Sequence, residues 1–166
     1  RERVEAAIRR LNFNPDPIAQ SMRSGQTKNF ACIVRDFSVP ILSMFVNAMQ
    51  EAVDVSGFGL QVASSYHDTE REIAMLEKLA RRRIDGIVLA SSSETDPDLL
   101  EAISSSDVPV VLLDRDSPAN VDAVLIDHRA GVRGAILRLL DLGHRRIAML
   151  TGQQDVRPVR ERVAGY

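Results

Sequence analysis

The chain has 166 residues, of which 45% are hydrophobic and 27% are charged, and its formal net charge is −2. This composition argues against global disorder and fits about one domain or a little more. A single cysteine excludes an internal disulfide framework and a zinc cluster built from several thiolates. The sequence has no run of about 18 apolar residues and no opening signal-peptide pattern, so we expect a cytoplasmic protein without a membrane span.

The first 28 residues differ in charge from the rest of the chain. They carry six basic and three acidic side chains, whereas the remainder has a net charge of −5. Apolar residues at helical spacing predict a helix over 4–11, which Pro15 ends, and a second short helix over 17–23. Such short helices bury little surface, so we interpret them as the end of one domain and a linker. Their basic excess fits an arm that contacts a polyanion, although a solvated helix face explains it equally well.

From position 29 onward, short apolar runs rich in β-branched residues alternate with helical patterns. Such continuous apolar runs are typical of strands buried on both faces of a parallel sheet. The alternation therefore predicts an α/β fold with a doubly wound parallel sheet. The predicted strands span 30–34, 59–63, 86–90, 108–113, 121–126 and 146–150. The predicted helices span 41–55, 70–83, 97–105 and 129–142.

Two of these helices have informative apolar stripes. The helix over 129–142 has Asp127 at the N-cap position, and one apolar stripe of Val132, Ala135, Ile136, Leu139 and Leu140. The helix over 41–55 has two stripes about 100° apart, made of Ile41, Phe45, Ala48 and Ala52, and of Leu42, Val46, Met49 and Val53. The first stripe suffices for packing on a sheet. The second predicts either a deeply buried helix or a subunit interface.

Polar and charged side chains follow every predicted strand. In open parallel sheets, ligands bind at the carboxyl ends of the strands, and carboxylates, hydroxyls and guanidinium groups there suit a polyhydroxylated or charged small molecule. Loop composition alone also explains such residues. The segments are Arg35-Asp36, Ser64-Ser65, Ser91-Ser92-Ser93, Asp114-Arg115-Asp116, Asp127-His128 and Thr151-Gly152.

The sequence lacks the common enzyme motifs. It has no G-x-G-x-x-G after the first strand, no phosphate-binding loop and no G-x-S-x-G, which disfavours dinucleotide, nucleotide and hydrolase chemistry. The three histidines have no metal-ligand spacing. Cys32 lies in an apolar strand and is interpreted as an inert core residue. We therefore expect neither catalysis nor a cofactor or metal.

Five segments, in order along the chain, resemble the lac/galactose repressor family of bacterial transcription regulators. Residues 1–15 resemble the last helix of the DNA-binding headpiece, and 18–22 resemble the hinge helix. Residues 108–115 are similar to the strand that enters the ligand cleft, and 127–147 to a further family signature. Residues 162–166 resemble the arginine-containing segment that opens a helix of the second lobe.

The resemblance implies a helix-turn-helix headpiece, a hinge helix and a two-lobed core like that of periplasmic sugar-binding proteins. Residues 1–15 would end the headpiece, and 16–28 would form the hinge and linker. Residues 29–127 would form the first lobe, and 128–166 the incomplete start of the second. The first two headpiece helices would precede Arg1, and most of the second lobe would follow Tyr166.

The implied function is a ligand-responsive repressor that binds operator DNA as a homodimer, with a sugar or sugar derivative between its lobes. The effector contacts carried over by position are Asp36, Ser91, Asp114, Asp127 and Arg162. The DNA-binding hinge residues are Ala19, Gln20 and Met22, with Gln20 and Met22 where the family commonly has Arg and Leu. The proposed dimer interface is the stripe of Leu42, Val46, Met49 and Val53. The alternatives are a non-regulatory periplasmic-type solute-binding protein and an α/β enzyme.

Overall fold

The computed structural model describes residues 10, 11, 21, 23, 25–118, 120–152 and 156–166. The predicted hinge residues Ala19, Gln20 and Met22 lie outside the described residues, as does most of the predicted first helix. The described strands are β1 Asn29–Val34, β2 Gly59–Ser64, β3 Gly86–Leu89, β4 Val110–Leu113 and β5 Asp122–Val124. The described helices are α1 Pro40–Val55, α2 Thr69–Arg81, α3 Pro97–Ser104, α4 His128–Asp141 and α5 Arg157–Gly165.

The strands form one parallel sheet in the order β2-β1-β3-β4-β5. Along β1, Ala31 and Ile33 pack with α2 and α3, whereas Cys32 and Val34 pack on the opposite face with α1. Successive side chains of a strand point to opposite faces, so a continuous apolar run serves a sheet covered on both sides. The predicted α/β class with a doubly wound parallel sheet is confirmed.

Aspartate side chains cap the N-termini of three of the helices. The carboxylate of Asp68 accepts a hydrogen bond from the Arg71 N–H at 3.1 Å, and that of Asp96 accepts from Leu99 N–H at 2.9 Å. Asp127 accepts from Ala130 N–H at 2.9 Å, which confirms its predicted N-cap role. Each carboxylate satisfies a backbone donor that the first helical turn leaves without an intrahelical partner.

Both apolar stripes of α1 pack on the core of the lobe, and the stripe of Leu42, Val46, Met49 and Val53 contributes more to it than the other. Leu42 is buried, and Val46 and Met49 are half-buried against the same core cluster. On the other stripe Phe45 is half-buried against the same cluster, whereas Ile41 is 56% exposed and Ala48 and Ala52 are exposed. The proposed dimer stripe of Leu42, Val46, Met49 and Val53 therefore lies largely against the lobe's own core. The premise that it lacks a partner within one lobe does not hold.

The predicted strand over 146–150 is also absent: residues 144–150 have no regular secondary structure, and Leu150 is fully exposed. A strand is defined by pairing with a neighbour, and no strand of the described residues lies beside this segment.

Helix α4 has no buried residue. Within its predicted stripe Val132, Ile136 and Leu139 are half-buried, and Leu140 is exposed. None of the described helices is long and apolar enough to cross a bilayer.

Helices α4 and α5 pack closely at Gly165. A Cβ atom added there would lie 2.5 Å from the Arg129 carbonyl oxygen and 3.1 Å from the Val132 Cβ. Because the nearest group is backbone, a larger residue cannot be accommodated by a side-chain rotation. Glycine at this position therefore allows the close approach of the two helices.

Cys32 is fully buried, as predicted for a core residue, and burial raises the pKa of its thiol from 9.0 to about 11. We expect Cys32 of the native protein to resist iodoacetamide at pH 8 and to react readily in guanidinium chloride, because only the thiolate is nucleophilic. The raised pKa favours the native state below pH 9, and this contribution is lost as the pH rises toward 11. Mass spectrometry of the Cys32 peptide measures the adduct, and rapid alkylation of the native protein would contradict the prediction.

Candidate functional site

A cavity of about 890 Å³ opens at the carboxyl end of the sheet, where α1, the end of β4 and the start of α5 meet. Its charged and polar lining consists of Arg35, Asp114, Arg115, His128 and Arg162. Its apolar wall includes Val39, Leu42, Phe45, Leu113, Ile126 and Val159. The carboxyl ends of parallel strands meet at one edge, which brings these side chains of distant chain positions together.

Asp114 directly follows β4 and has a φ of +57°, in the left-handed region that aspartate tolerates better than most side chains. Its N–H donates to the Val124 carbonyl at 2.7 Å, and its Oδ1 accepts from the Ile126 N–H at 3.3 Å. These contacts with the segment around β5 hold the backbone in that conformation. The Asp114 side chain is 15% exposed, so the carboxylate is presented to the cavity with little competition from water.

His128, the first residue of α4, lies between Asp114 and Arg162. Its Nε2 is 2.7 Å from Asp114 Oδ2, and Arg162 Nε donates to its Nδ1 at 3.3 Å. A guanidinium group can only donate, so Nδ1 must accept, and the ring proton lies on Nε2, where it is donated to Asp114. The three side chains thus form a chain of hydrogen bonds that leaves carboxylate lone pairs and guanidinium N–H groups for a ligand. Such a set recognises hydroxyl groups.

Arg115 is 2% exposed and is held by two backbone carbonyls. Its Nε donates to Ser91 O at 2.8 Å, and its Nη1 donates to Asp114 O at 2.7 Å. Burial, and next the charge of Arg35, lower the pKa of Arg115 to about 10, so it remains a cation at neutral pH. Its Nη2 is buried and has no hydrogen-bond partner among the described residues.

Glu94, in the loop after β3, fixes the start of α5. Its carboxylate accepts from the Arg157 N–H at 2.9 and 3.1 Å and from Arg160 Nη2 at 2.6 Å. The N-cap residue of α5, Val156, has no capping side chain, so Glu94 supplies the negative charge that a helix N-terminus favours. Because α5 carries Arg162, the Glu94 contacts position that guanidinium over the cavity.

The chain matches, over residues 27–166, the family described as "Periplasmic binding proteins and sugar binding domain of LacI family". This match covers most of the sequence, including every described strand and helix. The chain belongs to the LacI family. The predicted resemblance to lac/galactose repressors is thereby confirmed, together with its periplasmic-binding-protein-like core.

Individual LacI-family relatives match nearly the whole chain. The HTH-type transcriptional repressor PurR of Haemophilus influenzae (strain PittEE) is 31% identical over 166 residues, covering 99% of this chain and 49% of that protein. The ribose operon repressor of Escherichia coli (strain K12) is 31% identical over 165 residues, covering 99% of this chain and 50% of that protein. The chain thus spans about half the length of the curated relatives it matches.

The fold also matches solved LacI-family structures. The lac repressor dimer bound to operator and the anti-inducer ONPF has a TM-score of 0.83 and 26% identity, covering 99% of this chain and 50% of that chain. A putative ribose operon repressor from Burkholderia thailandensis has a TM-score of 0.76 and 27% identity, covering 83% of this chain and 53% of that chain.

Of the five effector contacts that the LacI-family resemblance implies, the structure brings Asp114 and Arg162 together at the cavity. Asp36 does not line it; its carboxylate accepts from Ser38 N–H at 2.8 Å and Ser38 Oγ at 2.7 Å, bonds that lower its pKa. Ser91 is buried and donates its hydroxyl to Ser93 O at 2.9 Å. Asp127 is exposed and caps α4.

Sequence reasoning did not select three residues that line the cavity, namely Arg35, Arg115 and His128. Each stands in a polar segment that follows a predicted strand. The rule that ligands bind at the carboxyl ends of parallel strands therefore points to these segments. The spacing of the histidines argues against a metal site and gives no other role to His128. Among the described residues, no group of three or more His, Cys, Asp or Glu side chains is placed to hold a metal ion. The His128 ring is a hydrogen-bond bridge between Asp114 and Arg162.

Proposed function

We propose that the full-length protein is a ligand-responsive transcriptional repressor whose cavity binds a sugar or sugar derivative. The observation that supports this proposal most directly is the hydrogen-bonded chain of Asp114, His128 and Arg162. It offers fixed acceptors and donors to ligand hydroxyl groups. The names of the relatives, the HTH-type transcriptional repressor PurR and the ribose operon repressor, support regulation rather than turnover.

We propose the domain organisation that the sequence predicts: headpiece end at 1–15, hinge and linker at 16–28, first lobe at 29–127, and the start of the second lobe at 128–166. Asp114 then belongs to the first lobe, and His128 and Arg162 belong to the second. A ligand that contacts residues from both lobes favours one arrangement of the lobes over another. Through the hinge, that bias changes DNA affinity, which is a coupling between two sites.

Operator binding is tested with full-length protein and sheared genomic DNA of its source organism. Retained fragments are sequenced, and the most enriched one is used in gel-shift titrations at physiological salt with and without sugars. We expect selective binding with a Kd on the order of 10⁻⁸ M or tighter, altered by an effector. Residues 1–166 alone should bind DNA weakly and without sequence preference. No enrichment by the full-length protein would contradict the repressor and favour a solute-binding protein.

The variant that tests the hinge is Met22→Gly. Apolar side chains inserted between base steps from the minor groove kink the DNA duplex, and the family resemblance gives Met22 that role in the hinge. This variant should weaken operator binding while leaving effector affinity unchanged. A loss of effector affinity as well would indicate misfolding rather than a hinge defect.

We also propose that the full-length protein is a homodimer, because pairing two first lobes would bring two hinges side by side on a two-fold operator. The lac repressor in the matching structure is a dimer bound to operator, which supports the same arrangement here. Sedimentation of the full-length protein tests it, and a monomer at micromolar concentration would contradict it.

A further inference from the structure

Three guanidinium groups line the cavity, those of Arg35, Arg115 and Arg162, and among the described lining residues only Asp114 is acidic. Burial lowers the pKa of both Arg35 and Arg115, and neighbouring guanidinium charges add to this effect: that of Arg35 acts on Arg115, and more weakly that of Arg162 acts on Arg35. Arg35 therefore lies electrostatically between the other two. The side chains that line the cavity thus carry more positive than negative charge, which ligand hydroxyl groups alone do not require.

The nearby carboxylates are already engaged. Glu72, fully buried, accepts from Ser92 N–H at 3.0 Å and Ser92 Oγ at 2.6 Å. Glu94 lies 4.0 Å from Arg115 Nε but accepts its short hydrogen bonds from Arg157 and Arg160. The carboxylates thus lower the cost of burying the guanidinium groups without filling the hydrogen-bonding capacity of Arg115.

The buried guanidinium group of Arg115 is a second feature that favours an anionic ligand. It is almost fully buried and fixed at Nε and Nη1, while its buried Nη2 has no partner among the described residues. A buried donor without a partner is unfavourable, and a planar guanidinium presents N–H groups in a fork that fits carboxylate and phosphate oxygens. The apolar wall formed by Phe45, Leu113 and Val159 lowers the local dielectric and strengthens any such ionic contact.

We propose that the effector is an anionic sugar derivative, whose phosphate or carboxylate group is bound by Arg115 and Arg35 while its hydroxyl groups contact Asp114 and Arg162. This inference rests on the proposed function and specifies its ligand class. A role of Arg115 as a structural brace alone predicts a different result. A cavity in which Arg115 is only a structural brace binds a neutral sugar and its anionic derivative with equal affinity.

The test is calorimetric titration of the full-length protein with matched ligands: ribose and ribose 5-phosphate, glucose and glucose 6-phosphate, and glucose and glucuronate. We expect an anionic member to bind at least about tenfold more tightly than its neutral parent. The phosphate and carboxylate arms then identify which anion the cavity prefers. Binding of a neutral sugar as tightly as its anionic partner would overturn this inference and leave the proposed function standing.

The variant for this test is Arg35→Gln, because Arg35 is only half-buried and its replacement puts less of the core at risk than that of Arg115. It should abolish the preference for the anionic ligand, because the affinity for the anionic member falls much further than that for its neutral parent. Arg82→Gln, at the exposed end of α2, is the matched control and should leave the preference unchanged. An unaltered preference in Arg35→Gln would overturn the role of Arg35. Failure of all five compounds to bind would overturn both the sugar effector and its anionic class.

Discussion

Replacing Asp114 by asparagine is expected to weaken effector binding by about ten- to a hundredfold without unfolding the core. Asparagine tolerates the left-handed φ of +57° and can still accept from the Ile126 N–H. It removes the charge that accepts the proton of His128 Nε2 at 2.7 Å and attracts Arg157 at 3.9 Å. Loss of a charged hydrogen bond costs about 1.5–3 kcal/mol, which corresponds to that change in affinity.

The measurement is calorimetric titration of the full-length protein with the effector, alongside urea unfolding to verify stability. Asp98→Asn, on the exposed first turn of α3, is the matched control and should bind normally. Arg162→Ala should produce a loss of the same order as Asp114→Asn, because it removes the other end of the hydrogen-bonded chain. If Asp114→Asn and Arg162→Ala both respond to effector as the wild type does, the candidate site is wrong.

Val46→Glu is expected to destabilise the first lobe by about 2–4 kcal/mol rather than merely to separate a dimer. Val46 packs beside Leu42 and Met49 against the core cluster that includes Cys32 and Val34. A carboxylate there is partly removed from water and lies against the apolar side chains of that cluster. The free energy of unfolding, measured in urea by circular dichroism, should fall accordingly, and effector binding should weaken with it.

The neighbouring Asn47 supplies the control, because it is exposed on the same turn of α1. Asn47→Glu should change the free energy of unfolding by no more than about 0.5 kcal/mol. Sedimentation distinguishes the two interpretations of the stripe of Leu42, Val46, Met49 and Val53, namely core packing and a dimer interface. A folded, effector-binding monomer of Val46→Glu would restore the interface that the sequence predicts and would show that core packing of Val46 is energetically unimportant.

The sequence alone predicted the order of strands and helices from β1 to α4, because each depends on local patterns. The run from Ala31 to Val34 is apolar at every position, as a strand covered on both faces must be. Asp127 could be assigned as an N-cap because capping involves residues three positions apart. The family, too, follows from ordered local segments, and the match over residues 27–166 confirms it.

Only the tertiary structure decided which face of α1 is buried and which side chains share the cavity. Helical periodicity gives the angle between two apolar stripes, but not the side on which the sheet lies. The stripe that includes Leu42 is therefore compatible with core or subunit interface from sequence, and the structure buries Leu42 in the core. Likewise, residues 146–150 have strand-like composition, but pairing is non-local and no described strand lies beside them. Asp114, His128 and Arg162 meet because β4 and β5 end at one edge and Glu94 holds α5 against it. Contacts across such chain separations depend on how the elements pack together, which local sequence patterns do not specify.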